Sequence, residues 1–112
     1  MKKTLALALA LALPALLGAD DATRTVDIMA KRFEFAPATL TLKKGETVRL
    51  RVTSEDVTHG LFLRPLKIDT DIVPGEVREL TVTPQTAGTF TAICHHFCGA
   101  QHGNMKLTVI VE

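Results

Sequence analysis

The sequence predicts an all-β chain folded as a two-sheet antiparallel sandwich. Three observations predict it. Apolar residues recur at every second position in six segments, turn-forming clusters separate those segments, and no window of helical length carries an apolar stripe after residue 24. Val26 and Ile28 alternate with Thr25 and Asp27, and Leu40 and Leu42 with Thr39 and Thr41. Val48, Leu50 and Val52 alternate with Thr47, Arg49 and Arg51, the longest such run. Leu80 and Val82, Phe90 and Ala92, and finally Leu107, Val109 and Val111 continue the pattern. A strand buried on one face needs this period of two, because successive side chains point to opposite sides. Lys44-Gly45-Glu46, Pro74-Gly75 and the stretch from Pro84 to Gly88 supply turn chemistry between strands.

A chain of 112 residues suits one domain. Thirteen Lys and Arg against twelve Asp and Glu leave a formal charge of +1 without a basic run beyond Lys-Lys pairs, so a nucleic-acid surface is not expected. Five Phe with no Trp and no Tyr would make a poor stacking platform for bases, which points the same way. A hydrophobic share of 46% against 22% charged is the composition of a globular chain.

The N-terminus reads as a targeting segment and not as part of the sandwich. Met1-Lys2-Lys3 is a positive head, an apolar run of about 15 residues rich in Leu and Ala follows, and Leu17-Gly18-Ala19 ends it. That order is the order of a secretory signal. The run is shorter than the roughly 20 residues that cross a bilayer comfortably as a helix. We place cleavage after Ala19, which gives a signal at 1–19 and a mature domain at 20–112, periplasmic or otherwise exported. Retained, the same segment would anchor the chain to a membrane. An exported location is oxidising, so two cysteines there pair unless something else holds them.

The chemistry concentrates in Cys94-His95-His96-Phe97-Cys98-Gly99-Ala100-Gln101-His102-Gly103-Asn104-Met105, a loop between two predicted strands. Its skeleton, C-x3-C-x3-H-x2-M, brings thiolate, imidazole and thioether together, a soft donor set that suits copper over magnesium or calcium. His59, after the Val48 strand, is positioned to approach the same end of the sandwich. A disulfide between Cys94 and Cys98 is the plainer alternative, but it leaves His102 and Met105 unexplained and closes a loop too short to stabilise much. Zinc takes Cys and His but not Met. A mononuclear copper site on His59, one Cys, His102 and Met105 leaves a free thiol beside a redox metal, open to oxidation. Two metals bridged by both thiolates employ every soft ligand.

On these residues the chain resembles the copper-A domain of cytochrome c oxidase subunit II and, more distantly, that of nitrous oxide reductase. The matching pieces are Thr53-Ser54-Glu55-Asp56-Val57-Thr58-His59-Gly60, Ile72-Val73-Pro74-Gly75-Glu76 and the loop from Cys94 to Met105, in the family's order. The resemblance implies a cupredoxin-like Greek-key β-sandwich and a binuclear, mixed-valence CuA centre of two copper ions. It implies Cys94 and Cys98 as bridging ligands, with His59 and His102 capping one copper each. Met105 is then the weak ligand on one copper, and the backbone carbonyl of His96 serves the other. The chain departs from the family in three places. A signal is expected where subunit II has membrane helices, and His96 stands where many members carry a Glu that holds a metal at the subunit I interface. No Trp is available for electron entry; Phe62 and Phe97 are the nearby aromatics.

The expected function is one-electron transfer with a redox protein such as a cytochrome c or a membrane oxidase, after loading by a copper chaperone. The scheme requires no general acid, base or nucleophile, and Asp56, three residues before His59, is the carboxylate expected near the ligand loop, there to orient an imidazole, to present charge to a cytochrome or simply to form a turn. Two other functions use the same ligands: a copper carrier that delivers metal to an oxidase, and an oxidase subunit anchored by its N-terminal segment. Carriers of the Sco type also have C-x3-C, usually followed by Pro; here Gly99 follows. His95 and His96 are either an exposed loop pair or a rim that catches arriving copper. If they catch it, replacing both by Gln slows copper loading in a stopped-flow experiment and leaves the final spectrum intact; an unchanged rate makes them an exposed loop pair.

Overall fold

The computed structural model describes residues 23–100 and 102–112, apart from the His102 side chain. The signal expected at 1–19 lies outside the described residues. Among those residues the chain forms β1 (Arg24–Lys31), β2 (Glu34–Ala36), β3 (Thr39–Leu42), β4 (Val48–Ser54), β5 (His59–Leu63), β6 (Ile68–Ile72), β7 (Arg78–Val82), β8 (Gly88–Ile93) and β9 (Lys106–Val111). They build two sheets, one ordered β2-β1-β4-β7 and the other β3-β9-β8-β5-β6.

The six alternating segments all form strands, and their apolar positions face inward. Val48, Leu50 and Val52 of β4 meet Ile28 and Ala30 of β1 and, from the opposite sheet, Leu40, Leu42, Leu107, Val109 and Val111 in one core. Turns close where expected: the Glu46 N–H donates to the Lys43 carbonyl at 3.0 Å and the Glu76 N–H to that of Val73 at 3.1 Å.

The sandwich is mixed, not purely antiparallel. β1 pairs in parallel with β4, Arg24 opposite Val48 through Ala30 opposite Ser54, and β3 pairs in parallel with β9. The chain leaves β1 through the β2 hairpin, crosses to β3 in the other sheet and only then returns as β4. Parallel neighbours need a crossover of this kind, because a tight hairpin joins only antiparallel strands.

Three strands lie beyond the alternating segments. β2 has three residues. β5 reads His-Gly-Leu-Phe-Leu with four of its five residues buried, because it is interior to its sheet and covered on both faces. β6 is the neighbouring edge strand and carries Asp69 and Asp71 outward, a charge placement that protects an open edge. Between them a single 3-10 turn, Arg64–Leu66, reverses the chain.

The registers define a functional end. Ala30 opposite Ser54, His59 opposite Ile72 and Ile93 opposite Lys106 all fall at the same rim, where the 94–105 loop begins and ends. The opposite faces of β4 give a direct test of the core assignment. Leu50→Ala, at a position 1% exposed, is expected to cost about 2–5 kcal/mol. Arg51→Ala, which loses two exposed ion pairs at 3.9 and 4.0 Å, should cost less than about 1 kcal/mol. Urea denaturation of the two variants measures both.

Candidate metal centre

The ligand loop hangs from a closed neck. The Cys94 N–H donates to the Met105 carbonyl at 3.3 Å, extending the β8–β9 ladder one step beyond the strands. Cys94 and Met105 are buried at that neck, and Cys98 folds back beneath it, also buried. The Cys98 thiol lies 3.8 Å from the Cys94 Sγ and 3.8 Å from the Met105 Sδ. At 3.8 Å the two sulfurs are not bonded to each other, so the disulfide alternative does not describe this structure.

His59 enters from the other segment. As the first residue of β5 it is fully buried, with Nδ1 at 4.0 Å from the Cys94 Sγ. His59, Cys94 and Cys98 offer one ligand atom each, all within 4.8 Å of one another. The closeness of β5 to the loop depends on Gly60. A Cβ there would sit 3.1 Å from the backbone of His95 and His96, closer than ordinary van der Waals contact, so the loop backbone would have to give way by a few tenths of an ångström; the Gly60 N–H donates to the Cys94 Sγ at 3.4 Å.

The imidazole is oriented from behind. Ser54 to Val57 form a tight turn in which the Ser54 hydroxyl donates to the Val57 carbonyl and the Val57 N–H to Asp56 Oδ1. The same carboxylate oxygen lies 2.7 Å from His59 Nε2. A proton on Nε2 satisfies that contact, which leaves the Nδ1 lone pair facing the sulfurs. A carboxylate behind an imidazole is the usual second support of a metal-binding histidine. Burial pushes the Asp56 carboxyl up, but hydrogen bonds from the Arg32 N–H, the His59 ring and the Val57 N–H outweigh it and bring it down to about 2. Asp56 is therefore an anion across the physiological range.

The Cys98 thiol faces the opposite pressure. Burial, followed by the hydrogen bond and charge of Cys94, pushes the Cys98 thiol up to about 11, while the Arg32 guanidinium opposes the rise. The Cys94 thiol donates to the His96 carbonyl at 3.1 Å, so that carbonyl points into the cluster.

Of the residues singled out in the sequence, His59, Cys94, Cys98, Met105 and the His96 carbonyl thus converge on one buried point. His102 begins the short 3-10 turn His102–Asn104, and its side chain lies outside the described residues. The other two imidazoles face away from the sulfurs. His95 is exposed, packs on the Phe62 ring at 4.7 Å between centroids and lies 3.7 Å from Asp69. His96 is exposed with Nδ1 3.1 Å from the Phe97 carbonyl, and Phe97 is 75% exposed.

Three features of the site have no local signal in the sequence: the Gly60 N–H, Phe33 and Arg32. Phe33, from the β1–β2 hairpin, occupies the space that a Cβ on Gly99 would take, its ring 2.9 Å from that position. Arg32 Nε donates to the Cys98 carbonyl at 2.8 Å across 66 residues of sequence. A buried cluster of two thiols, a thioether and an imidazole nitrogen with its other nitrogen already bonded fits a soft, thiophilic metal, copper before zinc.

Comparison with known proteins agrees with this chemistry. The chain is 32% identical over 88 residues to cytochrome c oxidase subunit 2 of Thermus thermophilus, covering 79% of this chain and 65% of that one. It is 41% identical over 73 residues to a probable cytochrome c oxidase subunit 2 of Streptomyces avermitilis, covering 65% of this chain but 23% of the relative. The chain therefore spans under two thirds of the length of either relative. Its fold matches the periplasmic domain of cytochrome oxidase subunit II of Bradyrhizobium japonicum with a TM-score of 0.73 at 18% identity, covering 80% of this chain and 83% of that one. The Cupredoxin-like domain model matches residues 3–111, through both sheets and the whole ligand loop, and the chain belongs to that family.

Proposed function

We propose that the chain is an exported one-electron carrier built on a binuclear copper centre of the CuA type. The observation that carries the reading is the convergence of His59, Cys94 and Cys98 within 4.8 Å, with Met105 Sδ 3.8 Å from the Cys98 sulfur. In this reading Cys94 and Cys98 would hold the copper as thiolates, His59 and His102 would supply the imidazoles, and Met105 and the His96 carbonyl would be the weaker donors. Copper held by these residues would supply one-electron exchange. The mature domain in this reading is residues 20–112; similarity to a periplasmic domain supports the exported location, and similarity to oxidase subunits supports a respiratory redox partner such as a cytochrome c or a membrane oxidase.

The chain's own residues divide the work. Asp56 keeps the proton on His59 Nε2, so the nitrogen facing the cluster is ready to donate. The Gly60 N–H, aimed at the Cys94 sulfur, stabilises negative charge there. Burial of all three sulfurs keeps bulk water away from the site, which preserves one geometry and protects the thiolates from oxidation. A mononuclear site is less satisfactory, because Cys98 lies between Cys94 and Met105 and would remain as a thiol inside the ligand set.

Copper stoichiometry and the electron paramagnetic resonance spectrum of the purified protein test the reading. Concentration must come from amino-acid analysis, since the chain has no Trp or Tyr. Two coppers per chain sharing one unpaired electron, seen as hyperfine splitting from both nuclei, is the expected result. One copper with a four-line pattern would mean a mononuclear site, and no copper with Cys94 linked to Cys98 would reduce the chain to a stapled sandwich.

The role given to Asp56 predicts an acid limb in the stability of the metal-free protein. Its folded value of about 2 lies below the ordinary 3.8, so its contribution is complete above about pH 4 and is lost as pH falls toward 2. Urea midpoints of the native chain and of Asp56→Asn should differ at pH 5 and converge by pH 2; a constant difference would show that the carboxylate charge is not what the fold uses.

A further inference from the structure

The β1–β2 hairpin touches both arms of the cluster through one residue. The Arg32 N–H donates to Asp56 Oδ2 at 2.8 Å, and Asp56 in turn holds His59. The Arg32 side chain donates from Nε to the Cys98 carbonyl at 2.8 Å. Next to it, the Phe33 ring lies against Gly99, whose φ of +140° belongs to the region that favours glycine. The Cys98–Gly99 peptide therefore has a partner on its carbonyl and a ring against its glycine, but no side chain of its own at Gly99 to limit rotation. A glycine following a ligand leaves that ligand's peptide free to turn unless something outside the loop holds it.

We propose that Arg32 is a positioning residue for the metal centre: it fixes the Cys98 peptide, and so the direction of the Cys98 sulfur, to the same hairpin that holds Asp56 and His59. The inference rests on the copper reading above. Two consequences follow from the chemistry of guanidinium. Its planar donor group holds a carbonyl in one direction, which an ammonium on a flexible stem does not do as well. Its permanent positive charge beside the thiolates also favours the more electron-rich, reduced state of whatever they hold. The first effect belongs to geometry and the second to charge, so two substitutions separate them. Arg32→Met keeps the apolar stem and removes both; Arg32→Lys keeps the charge and removes the planar donor. Each leaves the Arg32 backbone N–H bond to Asp56 available, and the exposed position spares the core.

The test uses the full chain with three readouts. The carbonyl carbon-13 resonance of Cys98, measured on metal-free protein, reports the hydrogen bond without any copper. Copper retention against a chelator reports how well the sulfurs are held, and the reduction potential reports the charge. For Arg32→Met we expect a shifted Cys98 carbonyl resonance, copper loss on the order of tenfold faster, the scale of one lost charge-assisted bond, and a lowered potential. For Arg32→Lys we expect the potential to return toward that of the native chain, while the carbonyl shift and the fast copper loss remain. An unchanged Cys98 resonance in Arg32→Met would overturn the proposal, as would full recovery of copper retention in Arg32→Lys, since charge alone would then suffice. If the native chain binds no copper, the copper reading fails by itself, and a shifted carbonyl in the metal-free variant still shows the tether.

Discussion

The approach of β5 to the residues that follow β8 is the constraint on which the metal end depends. Gly60 makes it possible, because its missing side chain lets the strand lie against the backbone of His95 and His96. The contact converts directly into chemistry: the Gly60 N–H reaches the Cys94 sulfur, and its neighbour His59 is carried to 4.0 Å from the same atom. A strand one methyl group farther away would separate the imidazole from the thiols, although every ligand would still be present in the sequence. The hydrogen-bonded ladder behind this contact, from β9 through β8 and β5 to β6, supplies the rigidity that a twelve-residue loop lacks on its own.

What the sequence disclosed and what it did not follow the same division between local and distant information. Alternation located the six segments in which one face meets the core and the other meets water. It missed β5, because a strand covered on both faces has no polar side to alternate, and β2, because three residues make no period. Parallel pairing of β1 with β4 is a property of how the chain travels between them, and no window of residues contains it. The Cys94 to Met105 loop was readable since its donors lie within one turn of chain, and Asp56 was readable since it precedes His59 by three residues. Arg32 was not, since its partner Cys98 is 66 residues away and a lone arginine in a hairpin has no spacing to distinguish it.

The burial that makes the site useful also opposes its assembly. Removing the sulfurs from water favours the neutral thiol, which is why Cys98 rises to about 11, with Cys94 adding to the effect. Metal binding has to displace those protons, so a dry site is harder to load than a wet one. The surroundings offset part of this. An N–H points at the Cys94 sulfur, an imidazole held by Asp56 lies beside it, and a guanidinium stands next to Cys98. Each favours the deprotonated, metal-ready arrangement without admitting water.

The two permanent charges near the ligands have opposite sign. Asp56 remains ionised because three hydrogen bonds hold it so, and Arg32 is cationic at any pH the protein meets. They are joined by the Arg32 N–H bond to Asp56, so they move together with the hairpin. The anion lies behind His59 and the cation beside Cys98, which directs a small local field across the cluster while leaving little net charge. The charge of the centre is then set by the thiolates and what they hold. In the proposed carrier a gained or lost electron would change a site whose two flanking protein charges do not respond, and that lack of response is the electrostatic counterpart of a rigid ligand geometry.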